Sequence, residues 1–417
     1  MSGATHRDTQ EIDRVLGALT GHDLFRRNAF RVTGLPTDAT ERQVRRARED
    51  SRSQYYVPPS VGPDVPLPPS EDPDELRAAF EVLRDPVARL VHELLWARFV
   101  DGRLPDVQLR AVSELCLALE GTSPDGVVRD AAARRRWDHC LDLWAAVLAA
   151  ESTWELARRR AAELDDPRLT TATVDALRER LPEHVVGVVA GLAARRAVEA
   201  PDDARRWRDL ARAAGFETGD VRRAFRSAAQ PDLDAVEAAC EVARAASSEN
   251  VGIDAAETLL AVARQHLESL SGLLGADDDL VVGCHDDVAL AMNNCVVRFV
   301  NADTGDYDAV GVLLREAYDL ARSPASREQI GANLDASGHT RAPAREIPEA
   351  VAWLGCLGIL VVIGLLIWAG FAFSTGVLGI GMPDLIFAGI FFSLVFAGAA
   401  GVFVSAIAGI VNFFMDL

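Results

Sequence analysis

The chain contains no lysine: all 43 of its basic residues are arginine. That absence excludes a phosphate-binding P-loop lysine, a kinase strand lysine and any Schiff-base chemistry, each of which needs an ε-amino group. A basic surplus is missing too. The 62 acidic residues leave a formal charge of −19, so the broad cationic footprint of a nucleic-acid binder is absent. No nucleic-acid partner is expected. The six cysteines, at 116, 140, 240, 284, 295 and 356, form no CxxC pair. Reduced, mostly buried thiols are the expectation for a chain that faces the cytoplasm. His139–Cys140 and Cys284–His285 are adjacent pairs, and neighbours on a helix point about 100° apart, which chelates poorly. Neither a metal site nor a cofactor is therefore expected. The histidines at 6, 22, 92, 139, 184, 266, 285 and 339 are scattered, no serine sits in a GxSxG elbow, and His92–Glu93 lacks the second histidine of HExxH. No catalytic residue emerges, so a non-enzymatic role without a small-molecule substrate is expected. The polar first 25 residues hold no apolar h-region, and no signal peptide is expected.

Charge is also missing from one end. After Glu349 the only charges are Asp384 and Asp416. A bilayer core of about 30 Å takes roughly 20 apolar residues in a helix, and two spans fit, near 351–373 and 385–411. Arg341 and Arg345 precede the first span, whereas the connection Ser374–Asp384 has no basic residue. The positive-inside rule then predicts a multi-pass anchor in the cell (inner) membrane, with the large N-terminal part in the cytoplasm. The second span carries Gly389, Ser393, Ala397, Gly401, Ser405 and Gly409 at four-residue spacing. Such a stripe lets another helix approach closely. The first span, with Gly355, Gly358, Gly364 and Gly370, is the expected partner, and a homo-oligomeric contact is the competitor. No intramembrane charge marks an ion path.

The remainder reads as all-α. Residues 1–25 form a polar leader with a short amphipathic stretch at Ile12–Leu19. Gly34 and Pro36 break a short helix, and Thr40 with Gln43 predicts a capping box for the next one. That next helix is strongly basic, with Arg42, Arg45, Arg46, Arg48 and Arg52. Residues 57–73 hold seven prolines and read as an extended loop. Asp72–Pro73 and Asp85–Pro86 each pair an N-cap with a proline at the first helical position.

The string Ala78–Ala79–Phe80–Glu81–Val82–Leu83–Arg84–Asp85–Pro86 resembles the third helix of a J domain, the Hsp70 co-chaperone module. Phe30–Arg31–Val32–Thr33–Gly34–Leu35, followed by Asp38–Ala39–Thr40, is similar to its first helix and the entry to its second. The resemblance covers roughly residues 28–96, within a module assigned to 26–100. It implies a J-like fold whose basic second helix faces Hsp70. The family's chemistry lies in a His-Pro-Asp tripeptide after that helix. At the matching place stands Tyr56–Val57–Pro58, and Gly62–Pro63–Asp64 follows without a histidine. The resemblance therefore implies the fold without the ATPase stimulation.

Residues 105–250 read as a helical domain, with Trp137, Trp144 and Trp154 packing between helices and the runs Arg134–Arg136 and Arg158–Arg160 as solvated faces. Breaks are expected near Asp165–Pro167, Ala200–Asp203 and Pro231. Within 251–335, helices are expected at about Asp254–Leu274, Asp286–Val300 and Tyr307–Ala321. Gly305–Asp306–Tyr307–Asp308–Ala309, then Ala317, Leu320 and Pro324, resembles one tetratricopeptide repeat, which implies protein or peptide binding. A plain helical hairpin is the alternative. Residues 336–349 read as a linker.

These readings converge on a membrane-anchored, cytoplasm-facing adaptor or scaffold that binds other proteins. Its expected partners are the bilayer and a protein that meets Arg45, Arg46, Arg48 and Arg52. The alternative is an Hsp70-associated co-chaperone or regulator without normal ATPase stimulation. Abundant Ala and Arg without Lys fits a high-GC bacterial source or a salt-adapted acidic proteome.

Overall fold

A computed structural model describes residues 2–52, 56–57, 66–96, 106–246, 252–301 and 307–340. Both expected membrane spans, the small-residue stripe from Gly389 to Gly409, residues 341–349 of the linker, residues 58–65 of the proline loop and the Gly305–Asp306 turn lie outside the described residues. Among the described residues no helix is long and apolar enough to cross a membrane.

The described secondary structure is helical, apart from one isolated antiparallel bridge between Thr122 and Val128. Six helices precede residue 97: α1 (Ser2–Gly17), α2 (Asp23–Arg26), α3 (Ala29–Thr33), α4 (Glu41–Arg52), α5 (Pro73–Val82) and α6 (Pro86–Leu94). Next come α7 (Asp106–Glu120), α8 (Ala131–Ala149), α9 (Glu151–Leu164), α10 (Thr171–Ala197) and α11 (Pro201–Ala213). The last are α12 (Thr218–Ala246), α13 (Gly252–Leu274), α14 (Asp279–Asn301), α15 (Tyr307–Leu320) and α16 (Pro324–Thr340).

Met1–His339 form one compact unit. Its hub is α10, which packs against α1, α8, α9, α11, α12 and α13. A surface helix needs only one apolar stripe. Here Val174, Leu177, Leu181 and Val185 are buried along one stripe of α10, and Val186, Ala190 and Ala193 are buried on another. The polar leader is part of this core. Ile12, Val15, Leu16 and Leu19 are buried, and α1 packs against α6 and α10. The amphipathic stretch expected at Ile12–Leu19 supplies this apolar stripe.

From α12 to α15 each helix packs on the next, and second neighbours touch as well: α12 on α14, and α13 on α15. Asp286 of α14 caps the start of α16 by accepting from the Arg322 and Ser323 amides at 2.7 and 3.1 Å. Asn333 of α16 donates to the buried Asn293 at 2.9 Å. The start of the expected linker, 336–340, is thus the last turn of α16.

The expected break at Pro231 does not occur, since Pro231 lies inside α12, as Pro182 lies inside α10. An interior proline costs about 3 kcal/mol. Burial of Ala229 on one side of Pro231 and of Val236 and Cys240 on the other holds the helix together. Trp137, Trp144 and Trp154 are buried, and Trp137 stands edge-on to Trp207 at 4.9 Å. The thiols of Cys116, Cys140, Cys240, Cys284 and Cys295 are free. Burial pushes that of Cys116 up to about 12.

Candidate functional site

The basic helix is positioned from both ends. Asn28 caps α3 by accepting from the Phe30 amide at 3.0 Å, and α3 ends at Gly34, whose φ of 66° lies in the left-handed region. Thr40 and Gln43 then form the expected capping box: the Thr40 amide donates to Gln43 Oε1 at 2.6 Å, and the Gln43 amide to Thr40 Oγ1 at 3.3 Å. Val44 and Ala47 are the buried positions of α4. Three residues apart, they leave a wide polar face.

On that face Arg42, Arg45, Arg46 and Arg52 are exposed. Arg46 has only a marginal contact with Asp50, at 4.0 Å. Arg42 and Arg45 have no ion-pair partner among the described residues. Arg48 differs. It is partly buried and bonds Glu81 of α5, so it joins the two helices. Glu81 also accepts from Arg84 at 2.8 Å. That bond, with Arg48 beside it, holds the Glu81 carboxyl below its usual value. Of the four arginines expected to meet a partner, three face outward and one is occupied by the fold.

Beside α4 lies a groove of about 410 Å³, lined by Leu35, Pro36, Ala47, Tyr56 and Val57, with Arg46 and Asp50 at its edge. Val57 is 83% exposed. Tyr56 stands at the start of the proline loop. Its ring meets Phe80 edge-on at 5.5 Å, and its hydroxyl donates to the Thr33 carbonyl. Burial, with Asp50 nearby, pushes that hydroxyl up to about 12. The start of the loop is thereby pinned to the core.

A buried ionic network fixes the turn that leads into α4. Glu93 of α6 is 1% exposed. It accepts from Arg89 Nε at 3.0 Å and from Arg160 Nε and Nη2 at 2.9 and 3.1 Å. Arg160 belongs to α9 and also donates to the Thr37 and Ala39 carbonyls at 3.2 and 3.3 Å. Arg89 donates to Ala39 as well. Arg160 is therefore not part of a solvated face. The Arg159 side is exposed, and Arg160 turns inward to a carboxylate 67 positions earlier in the chain. His92, one position from Glu93, accepts from the Ala29 amide at 2.9 Å through Nδ1, while its carbonyl accepts from Asn28. Burial pulls the His92 imidazole down to about 4, so it stays neutral.

One Ser-His-Asp trio comes together that spacing did not reveal. Asp232 accepts from Ser269 Oγ at 2.6 Å and contacts His266 Nδ1 at 2.7 Å. Both partners meet the carboxylate and neither meets the other, so the wiring lacks the nucleophile–base bond of a hydrolase triad. It ties α12 to α13. Among the described residues no group of three or more His, Cys, Asp and Glu could hold a metal ion. His139 is exposed and Cys140 buried, on different sides of α8.

No family model, no curated protein and no solved structure matches the chain.

Proposed function

We propose that the protein is a membrane-tethered adaptor that binds a protein partner on the outer face of α4. The observation that carries this reading is the exposed set Arg42, Arg45, Arg46 and Arg52 beside the Leu35–Val57 groove. Four cations held outward on a chain of net charge −19 form a local inversion of sign, which steers an acidic partner. The buried Arg89–Glu93–Arg160 network supports it, because the helix that presents these charges is rigidly placed. The layered order of α12 to α15 supports a second protein-binding surface of the helical-repeat kind. The uncharged stretches at 350–383 and 385–415 supply the tether.

A second reading, an Hsp70-associated regulator without normal ATPase stimulation, draws on the same exposed arginines. The identity of a crosslinked partner separates the readings, and both expect an unstimulated Hsp70. A photo-crosslinker at Arg45 in the full-length, membrane-inserted protein should capture a discrete partner, and the same probe at Arg159 should not. Purified Hsp70 should show no rise in ATPase rate with the adaptor. Crosslinking to Hsp70 with an unchanged ATPase rate favours the regulator. Identical capture from both positions contradicts an α4 docking face.

A further inference from the structure

A groove of about 470 Å³ lies between α11, the first turns of α12 and the turn joining α13 to α14. Its volume falls within the range of about 300–1,000 Å³ typical of small-molecule sites. Phe216, Val221, Phe225 and Leu273 give it an apolar floor. Opposite charges stand on its walls. Arg208 and Arg212 come from α11 and Arg222 from α12, while Asp277, Asp278 and Asp279 come from the far turn. One pair closes across this end of the molecule: Arg226 bonds both oxygens of Asp278 at 3.1 and 3.2 Å. Arg212, Arg222, Asp277 and Asp279 line the same groove, yet none has an opposite charge within ion-pair distance among the described residues. The walls therefore hold separated charges of both signs over an apolar base.

Two of the three arginines are held to the end of α13. Arg208 is 11% exposed and donates to the Gly272 carbonyl at 3.2 Å, and Arg212 donates to Leu274 at 3.4 Å. Both thus meet the carbonyl end of α13, beyond which Gly275 turns the chain at φ +103°. The carboxylate beside Arg208 is its neighbour Asp209, at 3.4 Å. Burial and the like charge of Arg212 pull the Arg208 guanidinium below its ordinary value. An anion reaching this wall relieves that repulsion.

We propose that this groove binds a small zwitterion with an apolar body, for which an α-amino acid is the simplest form. Its carboxylate meets the Arg212 and Arg222 wall, its ammonium meets Asp277 and Asp279, and its side chain lies on Phe216 and Phe225. Neither a plain anion nor a plain cation satisfies both walls. The protein then carries a ligand site as well as a docking face, although its sequence shows no small-molecule motif.

The test is calorimetric titration of the full-length protein in mild detergent with L-leucine and L-phenylalanine. Leucinamide, which lacks the carboxylate, and N-acetyl-leucine, which lacks the ammonium, serve as controls. Arg222 and Asp277 are exposed, so Arg222→Ala and Asp277→Asn leave the fold intact. Saturable binding of at least one amino acid is expected. Each variant and each control should weaken it by about tenfold, as loss of one charged hydrogen-bonding partner does. Absence of saturable binding by both amino acids overturns the proposal. Equal binding of N-acetyl-leucine overturns it too, because only the arginine wall is then in use.

Discussion

Glu93 accepts from two arginines that belong to different helices. Replacing it with glutamine leaves the buried Arg89 without its counter-charge and Arg160 with only the exposed Glu163, at 3.0 Å, which costs about 3–5 kcal/mol. The Glu93→Gln variant should therefore unfold at clearly lower urea concentration than the parent, and an unchanged midpoint would show that Thr37 and Ala39 carbonyls suffice. His92 gives a second test at this scale. Its folded value of about 4 lies below the ordinary 6.5, so the unfolded chain binds more protons between those limits. Stability from this group is complete above pH 6.5 and is lost as the pH falls toward 4, at about 1.4 kcal/mol per pH unit. Burial also pulls His184 down to about 4, which acts in the same direction. Urea titrations between pH 7 and 4.5 should show this slope, and a flat profile to pH 5 would contradict a buried neutral His92. Neither network was legible in the sequence. Arg89, Glu93 and Arg160 are ordinary helix residues, and no local pattern tells a paired buried arginine from a solvated one. The same holds for Asp232, His266 and Ser269.

Helices α4 to α6 are where local chemistry spoke most clearly. The capping box at Thr40, the Asp72 and Asp85 caps and the glycine stop at Gly34 all appear in the structure. The caps rest on side chains bonding nearby backbone and the stop on the left-handed φ of Gly34, both of which local sequence reveals. Pro231 was misread for the opposite reason, since long-range packing outweighs a local penalty. It is exposed inside α12. Pro231→Ala removes a helix-interior penalty of about 3 kcal/mol but frees the unfolded chain by about 1 kcal/mol. Thermal unfolding should show a net stabilisation, and a lowered midpoint would mean that the proline shape is needed by its neighbours. Tyr56 acts at the junction of elements. Tyr56→Phe keeps the Phe80 contact, removes the bond to Thr33, and should cost about 1 kcal/mol in urea unfolding. No loss would show that the hydroxyl does not hold the loop start. The amphipathic stripe of α1 was visible at Ile12–Leu19, but its partner α10 lies too far along the chain for periodicity to name.

The all-helical class was legible because apolar residues recur at helical spacing and no stretch alternates. The exposed basic face of α4 was legible in part. Periodicity put the arginines on one helix, whereas only the packing of α4 on α5 shows that Arg48 is bound to Glu81 and that Arg42, Arg45 and Arg46 stand exposed. The adaptor reading joins that face to a membrane tether, and it predicts that the partner depends on charge while the fold does not. Exposed charges contribute little to stability, so reversal of Arg42, Arg45 and Arg46 to glutamate should leave unfolding nearly unchanged. The most direct measurement is quantitative mass spectrometry of proteins co-purified in mild detergent with the full-length chain and with that triple variant. The account predicts a stoichiometric protein partner that disappears from the variant at equal recovery of the chain. The same partners in both preparations, or none in either, would contradict it.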